Sequence, residues 1–141
     1  MTGLLLLFLM LFTACGLVLS LATNVLSFTG DYVSLLFWGI FPTFLSVIII
    51  GYREKQKVMP GIPNDKIDHW GLVLNRCPLV LRWLFWTCFA YAFVIGSLFA
   101  AFGSNERTLS LRCVSAFCMA FYAMGLAVFT AAYLRCRAPR H

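Results

Sequence analysis

Residues 79–134 read LVLRWLFWTCFAYAFVIGSLFAAF, then GSNERT, then LSLRCVSAFCMAFYAMGLAVFTAAYL. Two apolar runs flank the short polar turn Gly103 to Thr108. Each is long enough to cross a hydrocarbon core of about 30 Å as a helix. In the first run Cys88, Ala92, Gly96 and Ala100 recur every four residues; in the second Ala116, Ala120, Ala123, Ala127 and Ala131 recur every three or four. Such spacing places small side chains along one helical face. Between helices in lipid, burying apolar surface gives no advantage, so association depends on close backbone approach, which small residues permit. The expectation is a tightly packed antiparallel transmembrane hairpin whose contact face is these nine residues.

Composition extends that reading to the whole chain. Its 141 residues allow one domain, and they are 62 % hydrophobic and 11 % charged. Soluble domains run at roughly 45–50 % apolar and about 25 % charged. Two further apolar runs, residues 4–28 and 32–52, complete a set of four spans with 79–102 and 109–134. The predicted architecture is all-α: a single polytopic membrane domain over 1–141, a four-helix transmembrane bundle with a central loop at 53–78.

The first run opens on an unbroken series of Leu and Phe, and Phe12-Thr13-Ala14-Cys15 approximates a lipoprotein cleavage box. No Lys or Arg precedes it, whereas a secretory signal starts positive. Apolar character also continues past Cys15, so a retained helix is expected. Within it Gly16 and Ser20 are small residues four apart, and Asn24 is an amide suited to a neighbouring helix. Asp31 stands where it would cap the second span. That span contains Gly39 and Pro42, which mark a hinge candidate, because proline removes a backbone donor and crowds the preceding turn.

In the central loop, Ile67, Trp70 and Leu74 share one face of a short helix beginning near Asn64. An apolar stripe with Trp beside a polar face predicts an amphipathic helix at the headgroup level. Arg82, Trp83 and Trp86, on the first turns of the third span, extend this interfacial anchor. Nine basic residues (Arg53, Lys55, Lys57, Lys66, Arg76, Arg82, Arg135, Arg137 and Arg140) fall on the side of the termini and central loop. Only Arg107 and Arg112 fall on the other. Positive-inside bias then puts both termini and the loop in the cytoplasm, in a bacterial inner membrane. The net charge of +6 sits at the ends of apolar runs rather than on a recognition face, which excludes a nucleic-acid partner.

The span cores contain no Asp, Glu, Lys, Arg or His. An intramembrane ionisable group is the usual mark of an ion path or proton relay, so coupled transport lacks its machinery. A passive pore would have to use Ser20, Asn24, Ser34, Thr43, Ser46, Thr87, Ser97, Ser115 and Thr130, which do not share a helix face. Asp65, Asp68 and His69 form the one cluster with catalytic or metal-binding chemistry, and it is incomplete. The six cysteines form no Cys-x-x-Cys pair, and neither zinc spacing nor a disulfide framework is recognisable. No cofactor and no metal is expected.

By elimination the expected role is non-enzymatic: intramembrane helix–helix binding to another integral membrane protein, as an accessory or assembly subunit, or to a membrane-inserted toxin, as an immunity protein. The alternatives are an oligomeric small channel or transporter, which would make the chain a homo-oligomer, and a membrane enzyme using the Asp65-Asp68-His69 loop.

Overall fold

The computed structural model describes residues 3–26, 32–58, 71, 74, 77–102 and 107–137. It is all-helical: α1 (Gly3–Leu26), α2 (Tyr32–Val58), α3 (Leu79–Phe102) and α4 (Arg107–Arg137). All four are long and apolar enough to span a membrane. The expected bounds shift at the charged ends. α2 continues past Tyr52 through Arg53, Glu54, Lys55, Gln56 and Lys57, because these residue types are good helix formers. Charge decides where a bilayer ends, not where a helix does. α4 likewise runs on to Arg137. At the start of α3 the Pro78 carbonyl accepts from the Leu81 and Arg82 amides at 3.0 and 3.2 Å.

The arrangement is centred on α4. In α4, 72 % of the most apolar stretch is buried, against 17–22 % in the other three helices. α1, α2 and α3 each pack on α4, α1 and α2 touch lightly, and α3 reaches α1 only through side chains. The expected hairpin of α3 and α4 is present, but α4 is a spine shared by all three neighbours.

The closest approaches lie between α4 and the first two helices. Tyr122 of α4, 1 % exposed, fits a slot floored by two glycines. A Cβ at Gly16 of α1 would meet its ring at 2.5 Å, and one at Gly39 of α2 would overlap its hydroxyl. That hydroxyl donates to the Leu36 carbonyl at 2.8 Å, tying α4 to α2. One helical layer further on, a Cβ at Gly125 would come within 2.7 and 2.8 Å of the Thr43 and Thr13 methyls. The Thr13, Ser20, Thr23 and Thr43 hydroxyls donate back to carbonyls of their own helices at 2.7–2.9 Å. Those side chains therefore meet α4 as small surfaces with satisfied polar atoms.

α2 runs through Gly39 and Pro42 as one helix. Gly39, the hinge candidate with Pro42, lies beneath the Tyr122 hydroxyl at a close-packing point. At the end carrying both chain termini, Leu6, Val47, Ile50, Phe85, Val128 and Phe129 form the largest apolar cluster. There Arg135 pairs with Glu54 at 3.4 Å, both largely buried, joining the ends of α2 and α4. Arg137 lies over the Tyr133 ring at 5.0 Å.

Candidate functional site

Two features stand out from the packed core: an apolar cleft between α3 and α4, and a polar node beside it. α3 is most deeply seated on α4 up to Ala92, and Ile95 still packs partly against the same alanine cluster. Phe85, Cys88 and Ala92 are buried, but from Phe93 to Ala101 no residue is. Along one side, from Phe85 to Ala100 of α3, the two helices bound a cleft of about 620 Å³. α3 lines it with Phe85, Phe89, Ala92, Phe93, Gly96, Ser97, Phe99 and Ala100; α4 lines it with Cys113, Phe117, Ala120, Phe121 and Met124. Its volume falls within the usual range of ligand pockets, about 300–1,000 Å³. Phe89, Phe93 and Phe117 at its rim are 45–71 % exposed, so it opens away from the bundle. Ser97, its one hydroxyl, donates to the Phe93 carbonyl at 2.8 Å and has no free proton for an occupant. The cleft's chemistry is apolar and aromatic.

The polar node is built on Asn24, 7 % exposed, near the end of α1. Its Nδ2 donates to Ser115 Oγ at 2.8 Å and to the Arg112 carbonyl at 3.2 Å, both on α4. Its Oδ1 accepts from the Tyr91 hydroxyl of α3 at 2.7 Å. Ser115 also donates to the Arg112 carbonyl at 3.1 Å. One amide thus joins three helices, with all its hydrogen-bonding capacity engaged except one lone pair of Oδ1.

The expected small-residue face divides in two. Cys88 packs with Met119 and Ala123, and Ala92 with Ala116 and Ala120, which forms the seat of α3. Ala127 and Ala131 belong to the cluster at the termini, where Phe85 and Leu81 of α3 pack together with residues of α1 and α2. Gly96 is half-buried and Ala100 exposed. A Cβ at Gly96 would meet only the Phe117 ring, at an ordinary 3.5 Å. Gly96 is therefore not a point where backbones touch, because the Phe117 ring stands between the helices.

Among the expected interfacial residues, Ile67 and Trp70 lie outside the described residues, as do Asp65, Asp68, His69 and Asp31. Leu74 is not presented to headgroups: at 3 % exposure it packs into the apolar cluster at the termini, together with Cys77. Arg82 is half-buried, while Trp83 and Trp86 are exposed. Trp86 stacks against Phe85 and Phe89 with ring centroids 5.0 and 6.2 Å apart. Burial pushes the Cys77 thiol above its usual value, and the nearby Arg82 charge partly opposes this.

Sequence reasoning missed Tyr122 and Gly125. A signal for Tyr122 existed, since a phenol placed mid-span must find a hydrogen-bond partner. The fold and these features define a helical membrane protein with a spine helix and one incompletely seated helix. No family model matches the chain, and neither curated proteins nor solved structures give a significant match.

Proposed function

We propose that this protein works without catalysis, by binding another membrane-embedded component through helix–helix contacts. In this reading it is an accessory or assembly subunit, or an immunity protein that neutralises a membrane-inserted toxin. It sits in a bacterial inner membrane with both termini cytoplasmic, following the bias of basic residues towards the end that carries them. The observation that carries the reading is the unfilled aromatic cleft beside α3, from Phe85 to Ala100. An incoming helix can insert side chains there against Phe93, Gly96 and Phe117. In lipid such shape-matched contact is the available driving force.

The channel alternative receives less support. Among the described residues, the hydroxyls of Thr13, Ser20, Thr23, Thr43 and Ser97 donate within their own helices. A polar wall for an ion or solute would need such groups turned to a common lumen.

The test is photocrosslinking in the native host, with a photoreactive amino acid at Phe93 or, as a control, at Leu4 on α1. Recovery of one stoichiometric membrane protein from position 93 but not from position 4 supports the reading. Recovery of the uncrosslinked chain alone refutes it. Conductance or solute flux from the pure protein in liposomes would instead establish the channel.

A further inference from the structure

We infer that α3 moves as a separate unit, latched to α1 by the hydrogen bond from the Tyr91 hydroxyl to Asn24 Oδ1. This does not depend on the partner-binding reading.

Three observations converge on it. First, α3 has backbone contact only with α4, and from Phe93 to Ala101 none of its residues is fully buried. Second, among the described residues the Tyr91–Asn24 bond is the one hydrogen bond that α3 makes to another helix. Third, that bond falls where full burial ends: Tyr91 precedes Ala92, the last buried residue of α3. The other three helices are held differently. α1, α2 and α4 interlock through Gly16, Gly39 and Gly125, where no Cβ fits, and through the Tyr122–Leu36 bond. A three-helix core interlocked at glycines therefore carries a fourth helix held by apolar side-chain packing, at Phe85, Cys88 and Ala92, and by one latch. With the latch closed, α3 covers Cys88, which lies 5 % exposed against Met119, Ala123 and Leu17. With it open, α3 swings from α1 and uncovers the α1 side of that seat. Removing the bond leaves Asn24 anchored to α4 through Nδ2, so the core persists.

The native cysteines report on the two units. Cys88 lies beneath α3, whereas Cys118, 1 % exposed, lies in the core beside Leu36 and Tyr122. The experiment measures N-ethylmaleimide labelling rates of both, by peptide mass spectrometry, on the full chain in detergent micelles. An interhelical hydrogen bond in lipid is of a strength whose loss multiplies the open population by roughly 3- to 30-fold. Tyr91→Phe is expected to raise the Cys88 rate by that factor and leave the Cys118 rate unchanged. Ser115→Ala weakens the α1–α4 side of the node but keeps the latch, and is expected to leave Cys88 at the wild-type rate. An unchanged Cys88 rate in Tyr91→Phe overturns the inference. So does a parallel rise at Cys88 and Cys118, or an equal rise at Cys88 in Ser115→Ala.

Discussion

Adding one methyl group at Gly16 should harm this protein, while adding the same group at Gly96 should not. Both glycines are mid-helix, and alanine is the better helix former by about 1 kcal/mol. They differ in what the new Cβ meets. At Gly16 it would lie 2.5, 2.6 and 2.7 Å from three carbons of the Tyr122 ring. The ring cannot swing away, because it is 1 % exposed and its hydroxyl is bonded to the Leu36 carbonyl. Either α1 lifts from α4, or the ring shifts and the bond to α2 breaks. Overpacking of this kind costs about 1–3 kcal/mol. A lost interhelical hydrogen bond in lipid adds about 0.6–2 kcal/mol. Set against the helix-propensity gain, Gly16→Ala should lose roughly 0.6–4 kcal/mol. At Gly96 the nearest atoms are Phe117 ring carbons at 3.5 Å, a normal contact, so Gly96→Ala should be neutral or slightly stabilising. Reversible unfolding of both variants in mixed micelles measures the difference. A double-mutant cycle then identifies the cause: in a Tyr122→Leu background most of the Gly16→Ala penalty should vanish, since the two residues couple by direct contact. Equal stabilities for the two alanine variants would refute the reasoning, as would a Gly16→Ala penalty that persists undiminished without the ring.

Three further outcomes follow from the same geometry. Tyr122→Phe keeps the ring but leaves the Leu36 carbonyl without its cross-helix donor, so the same unfolding assay should show a loss of about 0.6–2 kcal/mol. Asn24→Leu removes all three bonds that Asn24 makes between helices and should destabilise more than Ser115→Ala, after which Asn24 still bonds Tyr91 and the Arg112 carbonyl; the same assay ranks them, and the reverse order would misplace the hub. Cys136, exposed at the end of α4, should alkylate before Cys77, which is 7 % exposed and whose thiol burial pushes above the usual 9.0. Since the thiolate is the nucleophile, the Cys77 rate should still be climbing as pH passes 9.0, which a pH series of labelling rates would show.

The four spans were legible because length and apolarity alone determine them. The identity of the central helix was harder to read, for a physical reason. In water the apolar face of a helix marks its buried side, but in lipid both sides are apolar and hydrophobic periodicity loses its meaning. α1 shows this directly. Its buried residues include Thr13, Gly16, Ser20, Thr23 and Asn24, while Leu4, Phe8, Leu11 and Val18 face outward. The usable signal is the placement of small and polar residues. α1 carries them on one face. α4 carries Ala116, Ala120, Ala123, Ala127 and Ala131 on one face, and Ser115, Cys118, Gly125 and Ala132 on roughly the opposite one. Small residues on opposed faces indicate a helix approached from both sides. Only the alanine series was read that way, which assigned α4 a single partner. The Gly96–Ala100 half of the α3 stripe failed because the alternation every four residues ignores what faces it: the Phe117 ring occupies the space that small residues would have closed.

A spine with two small faces has a consequence for how changes along the chain should sort. α4 is buried from Ser115 to Ala132 with few breaks, so enlarging almost any side chain there displaces a neighbouring helix. The outward aromatic residues of α3, Phe89, Phe93 and Trp86, are half or more exposed on a helix without backbone contact to α1 or α2, and trimming them removes little that supports the fold. Stability and partner binding are therefore expected to reside on different helices. Phe93→Leu should unfold like the wild type yet lose co-purification of the membrane partner from detergent, whereas Ala120→Leu, buried where α3 seats at 6 % exposure, should lose both. A protein that binds through α3 requires that separation. If Phe93→Leu retained full binding while substitutions on the outer face of α1 abolished it, the functional surface would belong to α1, and the cleft would be only the gap left by an incompletely seated helix.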